Sequence, residues 1–272
     1  GRTAISWYER SWQKSQKQLS ILQTLERLYE MQQDYPHLIQ SYTEELNFID
    51  DLSLRIGLYY KIANIYIIQN DLQSVAKTYE SILKECPTHQ QTLEEIKSVY
   101  WTLQAYVSFV RILDMQIAPI AKSTEAIPLY LKQAEIWTEQ LKNEDKSLEV
   151  YWKVLELDKT QLKVWQILYN YYQKKNSYSQ IINILENIIA LDYTCAENGY
   201  FEIASLYLHH LHNDKLAIDF FQKVLSVNSA NIQAIKELSS LYEKLQIWDL
   251  YISNMRRWLE LSINPEEQID LH

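Results

Sequence analysis

Three groupings of side chains in this sequence have the types and spacing to do chemistry. His209, His210 and His212 crowd one short stretch. Residues 209 and 212 are three apart, so on a helix they share a face and offer two nitrogen ligands. A zinc-type site needs a third or fourth donor, and only Asp214 lies just beyond. Histidines near a helix C-terminus are otherwise favoured by the helix dipole and face water. Asp50-Asp51 resembles the paired carboxylates that hold a metal-bound diphosphate, but no second acidic cluster stands at a complementary spacing. An acidic pair ahead of Leu52-Ser53 fits a turn or helix start better. Cys86 and His89 flank Pro87. A nucleophile needs a base and an orienting group, and no recognisable motif surrounds this pair, so Cys86 reads as a helix-end packing residue. These readings assign no catalytic residue, no cofactor and no metal ligand.

Composition narrows the field further. With 3 Gly in 272 residues, the glycine-rich loops that cradle phosphates and dinucleotides are missing. The net charge of −9 repels phosphate and argues against nucleic acid as a partner. No apolar run reaches the roughly 18 residues of a membrane span. The two cysteines, Cys86 and Cys195, sit 109 residues apart and are expected not to pair. This mildly favours a reducing compartment such as the cytoplasm.

The elements that carry these residues repeat. Tyr66, Trp137 and Tyr207 are 71 and 70 residues apart. Tyr29, Tyr100, Tyr172 and Tyr242 are 71, 72 and 70 apart. A period near 70 that divides into two units of roughly 35 is the mark of stacked helical hairpins. Tyr59, Ile62, Ala63 and Tyr66 share one helix face. Asn70-Asp71 interrupts, and a second amphipathic stretch through Val75, Tyr79, Ile82 and Leu83 ends at Cys86-Pro87. Two further helices, near 89–103 and 106–118, complete the cycle. It restarts near Thr124 and again near Ala196.

One half of each period resembles the tetratricopeptide repeat. Its first helix carries the large residues Tyr59, Tyr130 and Tyr200, the small residues Ala63, Ala134 and Ala204, and the aromatics Tyr66, Trp137 and Tyr207. Its second helix supplies Val75, Leu148 and Ala217, then Tyr79, Tyr151 and Phe221. Alanine lets the second helix approach closely, and the flanking aromatics fill the space beside it. The other half keeps large residues at Leu22, Leu93, Trp165 and Ile235, but its small position holds Glu26, Lys97, Tyr169 and Ser239. These hairpins are expected to pack less tightly.

The expected fold is all-α. The resemblance implies a right-handed superhelix, an α-solenoid of hairpins at about 18–50, 53–87, 89–119, 123–158, 160–192, 195–228 and 230–262. Partial units are expected at 1–17 and 265–272, as in a segment of a longer array whose ends associate with one another. In the family the first helix of each hairpin lines the concave face and binds a protein or peptide. Carried onto this chain, that face includes Tyr60, Asn64, Ile67, Leu131, Glu135, Phe201 and Ser205. Trp101 follows the core residue Tyr100 and points elsewhere, either into the same groove or over a neighbouring helix. The alternatives to a binding scaffold are an architectural strut within a larger assembly and, more remotely, a helical enzyme.

Overall fold

The computed structural model describes residues 2–14 and 18–261. The described residues form fifteen α-helices joined by short turns, and no strand occurs among them. Two compact units divide the chain, 1–150 and 151–272.

The first unit runs α1 (Arg2–Lys14), α2 (Leu19–Gln32), α3 (Tyr35–Glu45), α4 (Leu52–Ile68), α5 (Leu72–Glu85), α6 (Gln90–Thr102), α7 (Tyr106–Ile117), α8 (Ile127–Glu139) and the start of α9 (Glu144–Leu157). From α1 to α8, each helix packs against the next in sequence. The second unit takes up the rest of α9 and continues with α10 (Leu162–Lys174), α11 (Tyr178–Leu191), α12 (Ala196–His209), α13 (Asp214–Val227), α14 (Ile232–Lys244) and α15 (Trp248–Leu261). From α10 to α15 the same sequential packing holds. The partial hairpin expected at 265–272 lies outside the described residues.

The repeat residues account for the packing. Ala63, Ala134 and Ala204 are fully buried at the contact between the two helices of their hairpins. Leu22, Leu93, Trp165 and Ile235 are buried at the large position of the alternate hairpins. The second helices of the three regular hairpins, α5, α9 and α13, begin on a side-chain cap. Asp71 accepts from the Ser74 amide at 3.1 Å, Asn143 from Lys146 at 3.0 Å and Asn213 from Leu216 at 3.1 Å. Each cap satisfies an amide that has no partner within the helix.

The turns achieve reversal without glycine. Gln33, Asn70, Gln104, Lys142, Asn176, His212 and Gln246 all adopt positive φ, between 51° and 58°. One such residue ends the first helix of every described hairpin from α2–α3 to α14–α15. This is the left-handed termination that glycine ordinarily supplies.

The structure corrects one assignment. Leu148 is only half-buried, whereas Ser147 is 3% exposed and occupies the position of Val75 and Ala217. The turns 140–143 and 210–213 are each one residue longer than the turn 69–71, so Ser147 and Ala217 stand alike behind their alanines, while Leu148 lies one residue too far along the helix. Ser147 Oγ donates to the Ala134 carbonyl at 3.2 Å and lies 2.6 Å from Thr138 Oγ1. A small polar residue thus sits against the small alanine, and the hydroxyl is satisfied inside the contact.

Candidate functional site

The three groupings that looked chemically capable resolve into local structure. His209 is exposed in the last turn of α12, and His212 is exposed in the left-handed turn beyond it. His210 stacks on Tyr178 with ring centroids 4.1 Å apart. No group of three or more His, Cys, Asp or Glu side chains among the described residues is placed to hold a metal ion. Asp51 caps α4 by accepting from the Leu54 amide at 2.9 Å, and Asp50 is exposed. His89 caps α6, its Nδ1 facing the Thr92 amide at 3.3 Å and the Thr92 hydroxyl at 2.8 Å. That nitrogen is therefore committed to the helix start rather than to Cys86. Both cysteines carry free thiols. Cys195 Sγ donates to the Asp192 carbonyl at 2.9 Å, and burial, then the Asp192 charge, push its thiol upward.

The residues assigned to a binding face divide into packed and open ones. Tyr60 on α4 is half-buried. Its ring lies 5.7 Å from Tyr79 and 6.2 Å from His89, and its hydroxyl meets Thr92 Oγ1 at 2.9 Å. Thr92 is fully buried, so Tyr60 ties α4 to the start of α6. Phe201 on α12 packs edge-on against Phe221 at 5.4 Å, and Ser205 Oγ donates to the Phe201 carbonyl at 2.9 Å. Leu131 is half-buried on α8. By contrast, Asn64 and Glu135 are exposed, Ile67 is 47% exposed and Trp101 is 42% exposed.

Two of these residues, Trp101 and Glu135, are linked through a third side chain, Lys132. Trp101 on α6 stands edge-on against Tyr106 at 5.4 Å and Phe109 at 5.8 Å. The Lys132 ammonium on α8 lies 5.3 Å from the centre of the Trp101 ring. Lys132 in turn pairs with Glu135 at 3.0 Å. The indole is thus propped from behind by two aromatics while a large part of it stays in water. Lys132 was not singled out in the sequence. An i, i+3 Lys–Glu pair one hairpin beyond an off-register tryptophan is the signal that marks it.

A second set of charges serves the frame. Arg55 donates to Glu85 through Nε at 2.7 Å and Nη2 at 2.6 Å, and to the carbonyls of Leu46 and Ile49 through Nη1. Tyr59 donates to the same carboxylate at 2.9 Å. The Arg55 hydrogen bonds hold the Glu85 carboxyl below its usual range.

No protein-family model matches the chain, and no curated protein matches it in sequence. Several solved structures are loosely similar. A crystal structure of MamA is 18% identical over 78% of this chain and 98% of that one, with a TM-score of 0.35. The C-terminal part of a TPR repeat-containing protein from Cytophaga hutchinsonii is 13% identical over 87% and 94%, with a TM-score of 0.36. Yeast Tom70 is 14% identical over 99% of this chain but only 57% of its own, with a TM-score of 0.33. Superpositions this loose carry no weight beside the packing itself. No described helix is long and apolar enough to cross a membrane. The described residues form an all-helical array of hairpins, and three of them, α4–α5, α8–α9 and α12–α13, resemble the tetratricopeptide repeat in their buried alanine, the aromatic three residues on, the capped second helix and the left-handed turn between.

Proposed function

We propose that the chain is a non-catalytic scaffold that holds a protein or peptide against the first helices of its hairpins. The observation that carries this reading is Trp101. A tryptophan braced by two aromatics and approached by a lysine, yet 42% exposed, has the character of a binding anchor. Ile67 on α4 offers a second exposed apolar group, with the polar Asn64 one turn earlier. Glu135 and Lys132 add a charged pair that can exchange partners with an incoming chain. Apolar anchors beside polar groups are the make-up of a protein interface. Tyr60 supports this face on α4, since its ring is spent on Tyr79 and His89, and Phe201 plays the same part within the second unit by packing on Phe221.

The test is a comparative capture experiment. The double variant Ile67→Ala/Trp101→Ala should keep its helicity and lose the proteins that the wild type retains from cell extract under crosslinking. Identical protein lists for the two would overturn the reading and favour an architectural strut.

A further inference from the structure

Glu26 is the residue of this chain least at ease with its surroundings. It occupies the small position of the α2–α3 hairpin, where the regular hairpins carry alanine. It is 7% exposed, and Glu45 on α3 is 4% exposed. Gln23 donates to Glu45 Oε1 at 3.0 Å, which satisfies that carboxylate from the α2 side. Glu26 Oε1 is buried without a hydrogen-bond partner. An ionised carboxylate in that position loses its hydration and repels the charge of its neighbour, so burial and Glu45 both favour the protonated form of Glu26.

The surrounding charges do not relieve it. On α2 itself, Glu30 adds a further negative charge. On α4, Lys61 gives an opposing attraction, but its ammonium is placed over the Tyr42 ring at 5.0 Å. On α3, Tyr42 has its hydroxyl pushed up to about 12 by burial and by the nearby carboxylates, so it supplies no charge. On α1, Glu9 accepts from Tyr29 at 2.7 Å, and on α3 Glu44 accepts from Trp12 at 2.8 Å, so both are engaged elsewhere. Burial first, then the charge and hydrogen bond of Glu45, push the Glu26 carboxyl up to about 8.

We propose that the Glu26–Glu45 pair is a proton-operated latch on the α2–α3 hairpin: one proton held between the carboxyls keeps the helices closed, and its loss to solvent drives them apart. The sign follows from proton binding. Folded Glu26 keeps its proton where an unfolded glutamate has lost it. The closed hairpin therefore weakens as pH rises from the ordinary carboxylate range toward 8 and changes little above that. The latch is independent of any partner and would hold in a scaffold or a strut alike.

Segment-resolved amide hydrogen exchange tests this, with rates corrected for intrinsic base catalysis. In the wild type, protection of α2 and α3 should fall by about ten- to a hundred-fold between pH 6 and pH 9, while α12 and α13 keep theirs. Glu26→Gln should hold the protection of α2 and α3 constant across that range. No fall in the wild type, or the same fall in Glu26→Gln, overturns the proposal. Should Glu26→Gln fail to fold, carboxyl-carbon NMR titration of the wild type decides. A Glu26 midpoint near 8 supports the latch, and one in the ordinary carboxylate range overturns it.

Discussion

Arg55 and Glu85 join α4 to the end of α5 through two nearly parallel hydrogen bonds, 2.7 and 2.6 Å long. The same guanidinium reaches back to the Leu46 and Ile49 carbonyls that follow α3. One side chain therefore binds three successive helices of the first unit. Both partners are about three-quarters buried, so solvent screens the pair less than a surface ion pair.

The first prediction is that Glu85→Gln destabilises the first unit by roughly 1.5–3 kcal/mol at neutral pH, the range for hydrogen bonds to charged groups. Because the folded Glu85 carboxyl is depressed, its contribution is present above the unfolded value of 4.5. It is lost as pH falls through the lower, folded value. The difference in thermal midpoint between variant and wild type should accordingly shrink on acidification below pH 4.5. A difference that stays constant with pH would show that the substitution acts through packing rather than charge.

A second expectation concerns the turns. Gln104 sits at φ 55°, in the region where a side chain crowds the backbone. Gln104→Gly should relieve roughly 1–2 kcal/mol of left-handed strain and, less about 0.4–1 kcal/mol for the greater freedom of glycine in the unfolded chain, stabilise by about 0.5–1 kcal/mol. The gain is smaller at Asn70, because asparagine already tolerates the conformation. Chemical denaturation of both variants checks the order. A loss at Gln104 would mean that the greater freedom of glycine in the unfolded chain outweighs the relief.

The hairpin contacts give a third. Ala134 is fully buried, and its carbonyl receives the Ser147 hydroxyl. Ala134→Leu should overpack this contact and destabilise by roughly 1–3 kcal/mol. Lys97 holds the corresponding place on α6 and pairs, among the described residues, with Glu94 on its own helix, at 2.9 Å. Lys97→Leu should change stability by no more than about 0.5 kcal/mol, the worth of such a pair. Equal effects at the two sites would contradict the distinction between the two kinds of hairpin.

Much of this frame is legible in the sequence, because apolar spacing reports helix faces directly. Asp71 and Asn213 announce the helices they cap, and Ala63, Ala134 and Ala204 announce the close contacts. The Leu148 assignment failed for a definite reason. An apolar residue was expected beside the alanine, so Leu148 was taken for the position and its small polar neighbour Ser147 was passed over. Glu26 stood out as a misfit at a small position, but its partner Glu45 lies on another helix at a distance in sequence that periodicity does not constrain. The exposure of Trp101 was likewise undecided until the aromatics behind it, Tyr106 and Phe109, were located on the following helix.

Trp101 and Tyr60 provide the last prediction, since they separate binding from support. The Trp101 ring keeps much of its surface in water and gives its hydrogen-bonding edge to no described side chain, so Trp101→Ala removes an edge-on packing contact worth about 0.5–1.5 kcal/mol. If it is an anchor, the same change should weaken partner capture by 2 kcal/mol or more, about thirty-fold. Tyr60→Phe removes only the hydroxyl that meets Thr92, and Thr92 retains His89 as a partner at 2.8 Å. That variant should lose about 0.5–1.5 kcal/mol of stability and keep its capture intact. Thermal denaturation and quantitative pull-down on the two variants give a crossed pattern: modest destabilisation in both, loss of capture only at Trp101. Capture that survives Trp101→Ala, or disappears equally in Tyr60→Phe, would remove Trp101 from the binding face.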